Sequence, residues 1–170
     1  EWINTSTYIF YPDPGLEGGK TYKTILNTVL TGVDGSPLDA ANGWSFFTST
    51  PELVSLEPEP GGANLDLDSR FVLTFNQPMD QTSLEAGLRL VDPEGASVSG
   101  TYEWDDSGTI LTFTPQELLS RDSTYTLEMD GQVRGHGGTP IDQPMSTAYS
   151  SVPDLAVVRS EPGQNQVLER

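Results

Sequence analysis

The sequence predicts an all-β fold built as a two-sheet sandwich, and three observations predict it. Short runs alternate apolar and polar residues, as in Phe71-Val72-Leu73-Thr74-Phe75, and turn signals rich in Gly, Pro, Asp and Ser separate them. No segment sustains helical periodicity beyond a turn or two. The third observation is internal repetition: "PELVSLEPEPGG" at 51–62 returns as "PDLAVVRSEPGQ" at 153–164, an offset of 102 residues.

The repeat extends well past that segment. Glu1-Trp2 recurs as Glu103-Trp104, "YIFYP" at 8–12 parallels "LTFTP" at 111–115, and "LEGGKTY" at 16–22 parallels "LSRDSTY" at 119–125. "GSPL" at 35–38 likewise parallels "GTPI" at 138–141. A period of 102–103 residues exceeds any solenoid unit and matches one whole sandwich domain. The chain therefore divides into the C-terminal half of one module (1–50), a complete module (51–152) and the first strand of a following module (153–170). Glu1-Trp2 does not resemble a natural start, which fits an excised piece of a tandem array.

Within the complete module the strands follow in order. "ELVSLEP" is the first. "RFVLTF" sets Phe71, Leu73 and Phe75 on one face, and Pro78 ends it because proline cannot donate to a ladder. "GLRLVD" sets Leu88 and Leu90 against Arg89 and Val91, and "DPEG" at 92–95 has the residues of a type I turn. "SVSGTYEW" comes next, then the "DDSG" turn at 105–108 and "TILTFTP" with Leu111 and Phe113 on one face. "STYTLEM" turns Tyr125, Leu127 and Met129 inward, and a last strand falls near 145–151. Short helices are expected at 80–87 and 115–120, both opened by residues suited to a helix N-terminus. About seven strands in a hundred residues make an immunoglobulin-like Greek-key sandwich, and Tyr125, opening the sixth strand after a turn, matches the tyrosine corner of that fold. Its repeat partner is Tyr22.

Composition excludes several classes of function. The net charge is −17, from 25 acidic and 8 basic residues, and such a field repels nucleic acid and anionic lipid. Cysteine is absent, so disulfides, thiolate metal sites and cysteine nucleophiles are excluded. A secreted domain without a disulfide favours a bacterial source. No run of 18 apolar residues exists to cross a membrane as a helix.

"SLEPEPGGANLDLDSRFVLTFNQPMDQTSL", followed by "GTILTFTPQELLSRDSTYTLEM", resembles the bacterial Ig-like domain of the type found in the S-layer protein SbsA. Pro60, Gly61, Phe75, Asn76, Pro78, Met79, Asp80, Phe113, Pro115, Leu119 and Tyr125 stand where that pattern places them. "LTGVDGSPLDAANGWSFFTSTP" resembles the family's ending, whereas "STAYSSVP" lacks its Trp. The resemblance implies tandem modules of large bacterial cell-envelope or secreted proteins, α2-macroglobulin-like protease traps among them. The expected localisation is extracellular, cell surface or periplasm. The thioester of some such traps needs a Cys, which is absent here.

Catalysis is not expected. The one histidine, His136, lies in "RGHGG", and no Ser-His-Asp set can be assembled around it. Asp105 and Asp106 are adjacent on a turn and point apart, unlike the paired carboxylates of a glycosidase. The metal hypothesis is calcium, with Asp66 and Asp68 on one side of an extended "LDLDS" and Asp34 and Asp39 of the preceding loop approaching them. The expected role is a non-catalytic structural and interaction module without cofactor. The alternative is a carbohydrate-binding accessory module of an extracellular glycan-degrading enzyme, with Trp2, Trp44 or Trp104 as a stacking platform. Expected partners are neighbouring Ig-like modules and a protein or glycan ligand. The half-module at 1–50 would expose an apolar face worth several kcal/mol at about 25 cal/mol per Å². A strand-swapped homodimer is one way to cover that face.

Overall fold

A computed structural model describes residues 1–4, 6–13, 15–26, 30–37 and 43–156. Residues 1–50 contribute two short antiparallel ladders. In the first, β1 (Trp2–Asn4) pairs with β2 (Thr7–Tyr8). In the second, β3 (Thr21–Lys23) pairs with β4 (Ser45–Phe47).

Residues 51–152 fold as a sandwich of two four-stranded sheets. Its strands are β5 (Leu53–Glu57), β6 (Ala63–Leu65), β7 (Phe71–Phe75), β8 (Leu88–Val91), β9 (Gly100–Trp104), β10 (Ile110–Pro115), β11 (Thr124–Met129) and β12 (Met145–Ser151). One sheet has the order β5-β7-β10-β9 and is antiparallel throughout. The other has the order β6-β12-β11-β8, and its outer β6 runs parallel to β12. Each sheet hides one face from water, which is why the strands read as alternation: Phe71, Leu73 and Phe75 are buried, Val72 and Thr74 half-buried. Leu88 and Leu90, and Tyr125, Leu127 and Met129, do the same from the facing sheet. The buried hydrophobic core runs from Leu56 to Tyr149 and lies wholly inside this unit. Phe71 anchors it with rings on either side, 5.3 Å from Tyr149 and 6.5 Å from Phe113 between centroids.

The short helix expected near 80–87 is α1 (Gln81–Gly87). Asp80 caps it by accepting a 2.7 Å hydrogen bond from Ser83 N–H. The helix expected at 115–120 does not form. Its would-be helical amides are drawn elsewhere: Gln116 N–H to Ser99 O at 2.9 Å, Leu119 N–H to Leu67 O at 2.8 Å and Ser120 N–H to the Tyr125 hydroxyl at 2.9 Å. The segment "LDLDS" is also not the extended run expected of it. It begins as β6, an eighth strand added to the seven anticipated, then turns at Asp66, whose carbonyl accepts from Ser69 N–H at 3.1 Å.

Candidate functional site

The repeat read from the sequence reappears as hydrogen-bond geometry. Ser120 N–H donates to the Tyr125 hydroxyl at 2.9 Å, the tyrosine corner, and Glu17 N–H donates to the Tyr22 hydroxyl at the same distance. Ser151 Oγ donates to Ser120 O at 2.7 Å and accepts from Ser123 N–H at 3.0 Å. Thr48 Oγ1 does the same with Glu17 O at 2.7 Å and Lys20 N–H at 3.0 Å. Every pair of counterparts is 103 residues apart. The left-handed residue before the strand also repeats, as Gly19 (φ 66°) and Asp122 (φ 49°). The ladders agree too: Trp2 opposes Tyr8 as Trp104 opposes Leu111, and Tyr22 opposes Phe46 as Tyr125 opposes Tyr149. Residues 31–37 and 134–140 form matching loops, closed by Thr31↔Pro37 and Arg134↔Pro140 bridges.

Burial does not repeat. Phe113 is 2% exposed and its counterpart Phe10 is 74% exposed; Tyr149 is 1% exposed and Phe46 is 40%. The later strands of the complete module press their inner face on β7 and β8, and residues 1–50 hold no strands equivalent to these among those described. The two stretches thus share hydrogen bonds and differ in surroundings.

Among the described residues no catalytic grouping emerges. His136 is exposed, and its backbone N–H donates to Pro78 O at 2.9 Å. Asp105 is engaged as a turn lock. Its carboxylate accepts from Thr109 N–H at 2.9 Å, Ile110 N–H at 2.8 Å and the Ser107 hydroxyl. The Ser107 hydroxyl, first among these donors, holds the Asp105 pKa down to about 2. Asp106 beside it is exposed. For calcium, Asp66 and Asp68 are both exposed on the turn after β6. Asp34 accepts from the Ser36 hydroxyl and amide, which lower its pKa, and Asp39 lies outside the described residues. Among the described residues no three His, Cys, Asp or Glu side chains gather as a metal site. Trp2 and Trp44 are exposed, at 65% and 55%, and Trp104 packs partly against the core with Nε1 donating to Glu85 at 2.9 Å. Trp2 occupies the strand position of Trp104, but among the described residues 1–50 hold no helix like α1, whose Glu85 accepts from Trp104.

The site that sequence reasoning missed is a junction. Thr139 Oγ1, in the 134–140 loop, accepts from Gly18 N–H at 2.8 Å and donates back to Gly18 O at 3.3 Å. Gly18 and Pro51 are buried there. The signal for it in the sequence is the glycine-rich "RGHGG" around His136.

Two stacked sheets in Greek-key order, closed by a tyrosine corner, define an immunoglobulin-like domain. The pattern of the bacterial Ig-like domain family matches residues 47–151, and the chain belongs to that family. It is 30% identical over 124 residues to alkane uptake protein B of Marinobacter nauticus, covering 69% of this chain and 12% of that protein. CopC of Methylosinus trichosporium OB3b shares the fold at 16% identity, with a TM-score of 0.51 over 63% of this chain and 98% of that one. The native α-2-macroglobulin of E. coli is similar at 18% identity and a TM-score of 0.46, over 62% of this chain and 6% of that one. The chain thus spans a small part of the curated relative and of the large structural neighbour. No helix among the described residues is long and apolar enough to cross a membrane.

Proposed function

We propose that this chain is a non-catalytic spacer and interaction module from a tandem array of Ig-like units in a bacterial secreted or cell-surface protein. In this reading residues 1–50 are the later strands of one unit, 51–152 are a complete unit and 153 onward opens a third; positions beyond 156 lie outside the described residues. The observation that carries it is the hydrogen-bond pattern of Tyr22 and Thr48 repeated, 103 residues on, by Tyr125 and Ser151. The relative alkane uptake protein B, a protein of uptake, supports the setting. The exposed inner face of 1–50 is covered by the earlier strands of its own unit, or by a second copy of the chain that swaps strands. The unit needs no cofactor.

Glycan binding is the competing reading, and exposed Trp44 is what favours it. Calorimetric titration with a panel of bacterial and plant oligosaccharides separates the two. The spacer reading expects no heat of binding. Binding that Trp44→Ala abolishes would replace it with the carbohydrate module. A melting scan with and without chelator, run alongside, is expected to give one midpoint, because a cation bound only to the native state must raise it.

A further inference from the structure

The loop 134–140 is held rigidly by its own module. Arg134 O accepts from Asp80 N–H at 2.9 Å, His136 N–H donates to Pro78 O at 2.9 Å, and Gly135 N–H donates to Thr139 O at 2.9 Å. Val133 and Ile141, at its two roots, are buried in the core. The rigid tip meets residues 15–18 of the preceding unit. Thr139 grips both backbone groups of Gly18. A Cβ built on Gly137 would overlap the Leu16 carbonyl oxygen and come within 3.3 Å of Glu17 Cα. A Cβ built on Gly135 would likewise come within 2.9 Å of Pro51 Cγ. Only glycine allows backbone to approach backbone this closely.

Both halves of this contact have a second copy. The receiving turn 15–18 corresponds to 118–121, since each lies just before a tyrosine-corner bond of 2.9 Å. There Leu118 is 70% exposed beside a cleft of about 340 Å³. The amide of Arg121, counterpart of Gly18, has no partner among the described residues. The loop 31–37 copies the internal bonds of 134–140, with Gly32 N–H to Ser36 O at 2.8 Å. It carries Asp34 where Gly137 stands, so it cannot approach a receiving turn in the same way.

We propose that the 134–140 loop is a docking element that fixes one Ig-like module on the module before it. We further propose that the Leu118–Arg121 turn is the open receptor for the corresponding loop of a following module. The occupant is a second copy of the same kind of unit, marked by glycine at the Gly137 position and a hydroxyl at the Thr139 position. This inference rests on the tandem reading above.

The absence of cysteine makes spin labelling direct. Labels at Lys23→Cys and Glu103→Cys report the distance across the existing junction by pulsed electron resonance. The expected result is one narrow distribution in the otherwise unchanged chain and in the control Gly131→Ala, where a Cβ meets nothing within 4 Å. Gly137→Ala and Thr139→Val are expected to broaden it at least about two-fold while the melting midpoint of 51–152 stays put. Unchanged widths would overturn the docking element. For the receptor, the full chain is extended after Val152 by a second copy of residues 51–152, with labels at Glu103→Cys in each copy. A narrow distribution that Leu118→Asp in the first copy, or Gly137→Ala in the second, broadens is the expected result. A broad distribution with both copies melting cooperatively would overturn the receptor alone and leave the tandem reading standing. An appended copy that fails to fold would overturn both.

Discussion

Residues 1–50 and residues 100–152 spell the same local structure and live in different surroundings. Both place a tyrosine hydroxyl under a backbone amide five residues upstream, and both hang a hydroxyl side chain between two backbone groups of the turn. In the later copy the inner face is closed by β7 and β8, and Phe113, Tyr125 and Tyr149 are almost fully buried. In the earlier copy Phe10, Trp2 and Phe46 face water. Hydrogen bonding between neighbouring strands is thus satisfied locally, whereas hydrophobic burial needs two packed layers. Stability follows the second, because a hydrogen bond exchanges against water for a net gain of about 1 kcal/mol while burial of a large side chain adds about 1.5–3 kcal/mol.

Two pairs of substitutions test that contrast, and one single change follows them. The largest effect is expected for Phe113→Ala, which should remove about 3–5 kcal/mol from the unfolding free energy of 51–152 by leaving a cavity beside Phe71 and Tyr102. Phe10→Ala should change it by less than about 0.5 kcal/mol, as for an ordinary surface site. Equal losses in urea titrations would mean that the two copies are equally buried, and the contrast would fail. Next comes Tyr125→Phe, which strips the half-buried Ser120 amide of its acceptor and should cost about 1–2 kcal/mol. Tyr22→Phe should cost less than half of that, since water replaces the lost hydroxyl at an exposed amide.

The smallest effect is electrostatic. Asp105 titrates at about 2 when folded, against 3.8 for the unperturbed group. A depressed folded pKa contributes stability that is present above the unfolded value and lost as pH falls through the folded one. The window is therefore pH 4 to 2. Because the half-buried carboxylate still meets water, solvent screens the contribution, and acid unfolding of Asp105→Asn should differ from the parent only by a shallower slope in that window. No change in slope would mean that the Ser107 and Ile110 bonds do not favour the charged form.

Much of the sandwich was legible because alternation encodes which face of a strand is wet. Phe71, Leu88, Leu111 and Tyr125 each fall on the predicted side. The acidic N-cap of α1 was legible for the same reason: Asp80 acts on amides within one turn of itself. The helix expected at 115–120 failed because partners about 17 and 50 residues away, Ser99 and Leu67, capture its amides, and no local pattern records that competition. Asp66 and Asp68 were placed on an extended run that instead turns after β6. The junction was hardest to foresee, since glycine in "RGHGG" reads as freedom when its use is close approach.

Seven strands of 51–152, their inner faces and the 102–103-residue repeat are readable from spacing along one chain. Packing between distant segments sets the rest: β6 runs parallel to β12, Phe10 stays wet while Phe113 is dry, and Gly137 abuts Leu16. Those outcomes depend on which distant backbone comes within a few ångströms. Periodicity carries no information about that distance, whereas excluded volume and burial depend on it directly.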